Sequence, residues 1–427
     1  MKALLFAAAA LIATPAFSQT IAITGGKVAL GDGSDPIDGG TVVVRDGRIV
    51  AAGRGVAVPA GAQVVDASGK WVSPGIVAGF GRIGLVEVDA VNATNDSSAE
   101  DSPFSAAIDV APAINPKAFG IAVSRSAGVT RAIVAPETAK SMFAGQGAVI
   151  DLGADMDAVT HSRAFQFVEF GEQGADNAGG SRAAAHVAFR NALSEARDLK
   201  AGRRGDDALL NRFDATALVP VVEGRMPLLV HVERASDILQ VIALTREFPQ
   251  LKLVLVGASE AWTVADQIAA ARVPVIASAL NDLPAAFESL AATQSNIGRL
   301  QAKGVLVGVG MINDNDTRMA RNSGQYAGNL VALQKVPGAT GLSWGQALAA
   351  ITSKPAEAIG MGAEFGSLKA GTRADVVVWD GDPLEPSSEP VLVMIDGVRQ
   401  PLDNRQTKLR DRYRSLAPEA QPKAYDR

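Results

Sequence analysis

Apolar positions fall into two patterns along the chain. Between Ile21 and Val72, short β runs are punctuated by turns, and Thr41–Val44 and Ile49–Ala51 flank Asp46-Gly47, a dipeptide that predicts a tight hairpin. Far downstream, Ala374–Trp379 and Val391–Ile395 are again β runs, the second followed by Asp396-Gly397. Neither end has enough apolar surface to bury a core alone. The pattern therefore predicts that residues 19–72 and 361–402 pair into one small composite β-sandwich domain.

The middle of the chain alternates differently. Pro227–His231, Leu251–Val256, Pro274–Ala277 and Val305–Gly310 are apolar without period-2 alternation. Helical patterns lie between them, from a cap at Ser236 to Glu247, over Ala261–Ala271, and from Pro284 to Lys303. Strands without a polar face, separated by helices, predict a parallel sheet covered on both sides. Runs at Gly75–Gly79, Val129–Ala135 and Ala148–Leu152 extend the count toward eight. Residues 73–360 thus suit a (β/α)8 TIM-like barrel, with a doubly wound open sheet as the alternative that periodicity alone leaves standing. The fold class is α/β.

The two extremities read as something else. Lys2, the apolar stretch Ala3–Ala13 and the small residues before Gln19 resemble a secretory signal peptide over residues 1–18, cleaved near Ser18-Gln19, which predicts a periplasmic or secreted protein. No later stretch is long enough and free enough of charge to span a bilayer, so no transmembrane segment is expected. Residues 403–427 form a charged tail. Composition narrows the chemistry: 427 residues contain no Cys and three His, which excludes disulfides, thiolate nucleophiles and Cys-bearing zinc sites. A formal net charge of −5 gives no electrostatic reason to expect a nucleic-acid partner.

Several ordered motifs carry a resemblance. Gly26-Lys27-Val28, Val44–Ile49, Val65–Lys70 and Val72–Gly75 at the start, and Gly366–Asp380 at the end, resemble the entry and closing signatures of the amidohydrolase superfamily of metal-dependent hydrolases. Ser126–Thr130 and Gly145–Ile150 are similar to internal stretches of its secreted imidazolonepropionase-like or dipeptidase-like branch. The resemblance covers about Ile21 to Gln400. It implies a barrel, a β-sandwich built from both chain ends, hydrolysis of carbon–nitrogen bonds, a divalent metal such as zinc, and a small amide or peptide-like ligand.

The ligand positions depart from that family. Where it carries His-x-His after the first strand, this chain has Phe80-Gly81-Arg82. Phe cannot ligate, and a guanidinium repels a cation. The bridging lysine position corresponds to Asp151, His231 is retained, and the next strand keeps Glu260-Ala261 but has Gly257 or Ala258 in place of its His. The final Asp, a ligand and general base, corresponds to Ile312, with Asp314 two residues on as the candidate to replace it. The expected pocket comprises Phe80, Arg82, Asp151, His231, Glu260 and Ile312, with an Arg82–Asp151 ion pair in the vacated site. No metal is expected; a retained one would be held by His231 and Asp151. The expected function is that of a non-catalytic partner or binding protein, alone or in a homo- or hetero-oligomer with a related barrel chain, the alternative being an active amidohydrolase with an altered metal centre.

Overall fold

The computed structural model describes residues 20–88, 90–312 and 318–414. The expected signal peptide at 1–18 and Asp314 lie outside the described residues, as does the tail beyond Arg414.

Both chain ends meet in one eight-stranded sheet. From the start come β1 (Thr20–Val28), β2 (Ile37–Arg45), β3 (Arg48–Gly53), β4 (Gln63–Asp66) and β5 (Trp71–Pro74). The barrel strands are β6 (Ile76–Gly81), β7 (Val129–Val134), β8 (Phe143–Asp151), β9 (Val159–Glu169), β10 (Leu228–Val232), β11 (Leu253–Gly257), β12 (Val275–Ala277) and β13 (Val307–Val309). From the end come β14 (Val376–Trp379), β15 (Pro390–Ile395) and β16 (Val398–Arg399). The first sheet runs β16-β15-β14-β5-β1-β2-β3, with β4 also on β1, so the seam between the two chain ends is the β5–β14 pair. The β domain is thus one continuous hydrogen-bonded sheet rather than two separate ones.

Its hairpins have a local cause. Asp46 and Gly47 have φ of 51° and 72°, and Asp396 and Gly397 have φ of 50° and 77°, which is the doubly left-handed turn that twists in the same sense as its strands. Ile21, Ile23, Val42, Val44, Val376 and Val378 then bury into one apolar cluster.

The second sheet runs β13-β12-β11-β10-β9-β8-β7-β6 and nearly closes into a barrel. Its ends meet where Met311 N–H donates to the Phe80 carbonyl at 2.9 Å. Gly79 permits that approach, because a Cβ there would collide with the Val309 carbonyl oxygen. One strand breaks the parallel pattern: β8 runs antiparallel to both β7 and β9. The turns at 135–142 and 152–158 are too short for the crossover helix a parallel connection needs. The two ends of β8 are therefore reversed relative to every other barrel strand.

Helices cover the outside. Arg182–Lys200 starts at Ser181, whose side chain accepts from Ala184 N–H at 3.1 Å. Ala235–Glu247 forms as expected, although its N-cap is Arg234 and Ser236 lies inside the first turn. The helix predicted from Pro284 to Lys303 is helical only at Phe287–Ser289 and Asn296–Ala302. The reason lies at Glu288, whose carboxylate accepts from Glu172 N–H at 2.7 Å and from Arg182 Nη2 at 3.1 Å, drawing the segment across the barrel's C-terminal mouth.

Candidate functional site at the barrel mouth

Parallel barrels present the residues at the C-terminal strand ends to one shared mouth. Here β6 ends at Phe80-Gly81-Arg82, β9 at Glu169, β10 at Val232-Glu233 just after His231, and β11 at Gly257. Phe80 and Arg82 share a face by the period-2 rule. They line a cavity of about 380 Å³ together with Phe167, Glu169, His231 and Ile312. Glu137, Thr138, Gln173 and Glu288 complete its rim. Phe80 and Phe167 form the floor, with ring centroids 5.2 Å apart and planes tilted by 59°.

His231 is held at both nitrogens. β9 and β10 place Glu169 directly beside it in register, and Nδ1 lies 2.6 Å from Glu169 Oε1. Nε2 lies 2.9 Å from Glu233 Oε1, while Glu233 Oε2 accepts from Ser259 N–H at 2.7 Å. Burial works against a charge on the ring, but the two carboxylates outweigh it and hold the His231 pKa well above its ordinary value. Burial likewise opposes the Glu233 charge, and its bonds to His231 and Ser259 overcome that and pull its pKa down to about 2. With a carboxylate oxygen at each ring nitrogen, the surroundings favour the charged, doubly donating form of the ring.

Gly257 makes this clamp possible. A Cβ at 257 would collide with Glu233 Oε1 and come within 2.7 Å of His231 Nε2, and the residue's φ of +81° also favours glycine. Ala258 instead buries its methyl in the apolar core. Position 257 is therefore the one that faces the mouth, and the absence of a side chain there leaves room for Glu233.

The structure brings Phe80, Arg82, His231 and Ile312 to one cavity, and it places Asp151 and Glu260 elsewhere. Because β8 is antiparallel, Asp151 sits at the opposite end of the barrel, where Oδ2 lies 3.6 Å from Arg131 Nη1. The expected Arg82–Asp151 pair is thus not formed. Arg82 Nε instead faces Glu137 Oε2 at 3.5 Å. Glu260 turns away from the cavity, accepting from Ala235 N–H and Ala291 N–H, both at 3.0 Å, and so ties the loop after β12 to the start of a helix. Glu169, Glu233, Glu137, Gln173 and Glu288 went unread in the sequence. The alternation Phe165-x-Phe167-x-Glu169 was the available sign of β9, obscured by the polar stretch before it.

At the far end, Arg131 is fully buried and bidentate to Asp375, with Nε 2.7 Å from Oδ2 and Nη2 3.1 Å from Oδ1. Its Nη2 also lies 2.9 Å from Asp396 Oδ1. Burial raises the Asp151 pKa to about 6, the Gly153 N–H and Arg131 offsetting it only in part.

A divalent ion needs about three to four donors with free lone pairs. At this mouth the two first-strand positions are Phe80 and Arg82, position 257 has no side chain, and both His231 nitrogens are engaged by carboxylates. Among the described residues, no group of three or more His, Asp or Glu has metal-holding geometry. The donor set present in the described residues does not fit the metal that the fold implies.

A nearly closed barrel joined to a β domain made from both chain ends is an amidohydrolase-like architecture, and comparison with known proteins agrees. Residues 231–399 match the amidohydrolase family model. It is 26% identical over 382 residues to the amidohydrolase tasK of Hapsidospora irregularis, a match that covers 80% of this chain but only 38% of that protein. Among solved structures it is similar to an amidohydrolase from Thermotoga maritima MSB8, with a TM-score of 0.77, 24% identity and coverage of 89% of this chain and 99% of that one. A molinate hydrolase shares the fold more distantly, with a TM-score of 0.53, 17% identity and coverage of 90% and 95%.

Proposed function

We propose that this chain is a non-hydrolytic amidohydrolase-fold protein that binds a ligand at the barrel mouth, as a binding protein or the partner of a related barrel chain. The observation that carries this reading is the His231 ring, fixed between Glu169 and Glu233 in the space that Gly257 leaves open. Metal-assisted hydrolysis needs an ion to acidify water and polarise the scissile carbonyl. A ring with both nitrogens bonded to carboxylates has none free for that ion, and Arg82 carries a fixed positive charge beside the place it would occupy. Export to a periplasm or the outside belongs to the same proposal and rests on the sequence of residues 1–18.

The test is elemental analysis of the purified protein before and after incubation with zinc or manganese, together with hydrolysis assays on dipeptides and cyclic amides. Metal well below one equivalent and no turnover above buffer are expected. Stoichiometric metal, with turnover abolished by His231→Ala, would establish an active enzyme with an altered centre instead.

A further inference from the structure

We propose that the mouth cavity binds a small organic monocarboxylate, its carboxylate on the Arg82 guanidinium and its apolar body on Phe80, Phe167 and Ile312; this rests on the non-hydrolytic reading above. Most charged groups at the mouth are already engaged. Glu169 is bonded to His231, and Glu288 to Arg182 and the Glu172 amide. Glu137 accepts the Ser97 hydroxyl at 2.9 Å. Arg82 differs from all of these. Among the described residues its Nε is buried without a hydrogen-bond partner, and the carboxylate it faces, Glu137 at 3.5 Å, is itself half exposed.

A guanidinium offers a planar fork of donors that matches a carboxylate, and enclosure strengthens the contact by excluding water. The Arg82 side chain is only 16% exposed, so the cavity supplies that enclosure. The adjoining wall is apolar and aromatic. A volume of about 380 Å³ is at the small end for ligand sites and suits a single ring or a short chain rather than an extended peptide. Glu137, Glu169 and Glu288 also face this space and limit the ligand's charge. With His231 already spent on two carboxylates, a second anionic group on the ligand would meet no further cation among the described residues lining the cavity.

Four probes of similar shape separate these contributions: phenylacetate, neutral phenylacetamide, cationic benzylamine and dianionic phenylmalonate. Binding is followed by ligand-observed NMR and calorimetry on the whole mature protein. Phenylacetate should bind at least about tenfold more tightly than each of the others, the size expected of a charge-assisted pair. Arg82→Gln should weaken phenylacetate by about tenfold or more, whereas Glu137→Gln, which removes a neighbouring negative charge, should tighten it severalfold. These variants shift affinity in opposite directions, so loss of folding cannot mimic the result. Equal or better binding of the amide or the amine, an Arg82→Gln protein that binds phenylacetate like the parent, or no phenylacetate binding in metal-free protein would each overturn the carboxylate assignment. Metal uptake with amide turnover, measured on the same preparation, would instead sink the non-hydrolytic reading.

Discussion

Replacing Gly257 with alanine puts one methyl group into the contact between His231 and Glu233. Two costs follow from the geometry. A Cβ-bearing residue at φ +81° loses about 1–2 kcal/mol against glycine. Displacing Glu233 Oε1 opens a charge-assisted hydrogen bond worth about 1.5–3 kcal/mol. The sum is about 3–5 kcal/mol, and at roughly 2 °C per kcal/mol for a domain of this size the melting temperature should fall by roughly 5–10 °C. Stability alone would not identify the cause, so the second measurement is the titration of His231 by NMR. The chain has only three histidines, which makes assignment by single substitution direct. In the parent, the His231 ring should stay protonated through neutral pH; in Gly257→Ala its midpoint should fall toward the ordinary range. A Gly257→Ala protein as stable as the parent, with His231 still protonated at pH 7.5, would refute the claim that the missing side chain makes the clamp possible.

Other consequences can be checked separately. Glu233 has its folded pKa lowered to about 2, so its contribution is present above the unfolded carboxylate range and lost as pH falls through the folded value. Glu233→Gln should therefore cost about 3 kcal/mol at pH 6 in urea unfolding, and the difference should vanish near pH 2. Asp151 has the opposite sign: with a folded pKa of about 6, its charge opposes folding, and stability should decline by up to about 3 kcal/mol as pH rises from about 4 to about 6. Asp151→Asn should abolish that decline and raise the urea midpoint at pH 7.5; a lower midpoint there would mean that attraction to Arg131 dominates. Asp375→Asn leaves the buried Arg131 charge short of its bidentate partner and should cost about 3–5 kcal/mol, read as a lowered melting temperature. N-terminal sequencing of exported protein should begin at Gln19, and a mature chain retaining Met1 would discard the leader.

The sequence disclosed features whose cause is local and hid those set by chain direction. Both Asp-Gly hairpins were legible, because two successive positive φ values are a property of those residues themselves. Alternation-free strands such as Leu228–Val232 were legible because burial on both faces shows in composition. The direction of β8 was not, since hydrophobic period is the same for parallel and antiparallel neighbours, and that direction decides whether Asp151 meets Arg82 or Arg131. Glu288 shows a second limit. Its surroundings read as helix, but a contact with Arg182, 106 residues away, redirected the segment. At the site, Phe80, Arg82, His231 and Ile312 could be read from position within motifs. Glu233, two residues past His231, became visible only once the space beside Gly257 was measured.

The seam between β5 and β14 has a consequence for how the molecule is made. Ser73 accepts a hydrogen bond from Trp379 across 306 residues, and Arg131 meets Asp375 across 244. Bringing ends so distant together costs about 5 kcal/mol of chain entropy, and it cannot happen until the last strands exist. Until then β5 lacks β14 at its edge, and Arg131 has Asp151 but lacks Asp375 and Asp396. The β domain is thus complete only when residues 374–399 are present, whereas the barrel strands all precede residue 310.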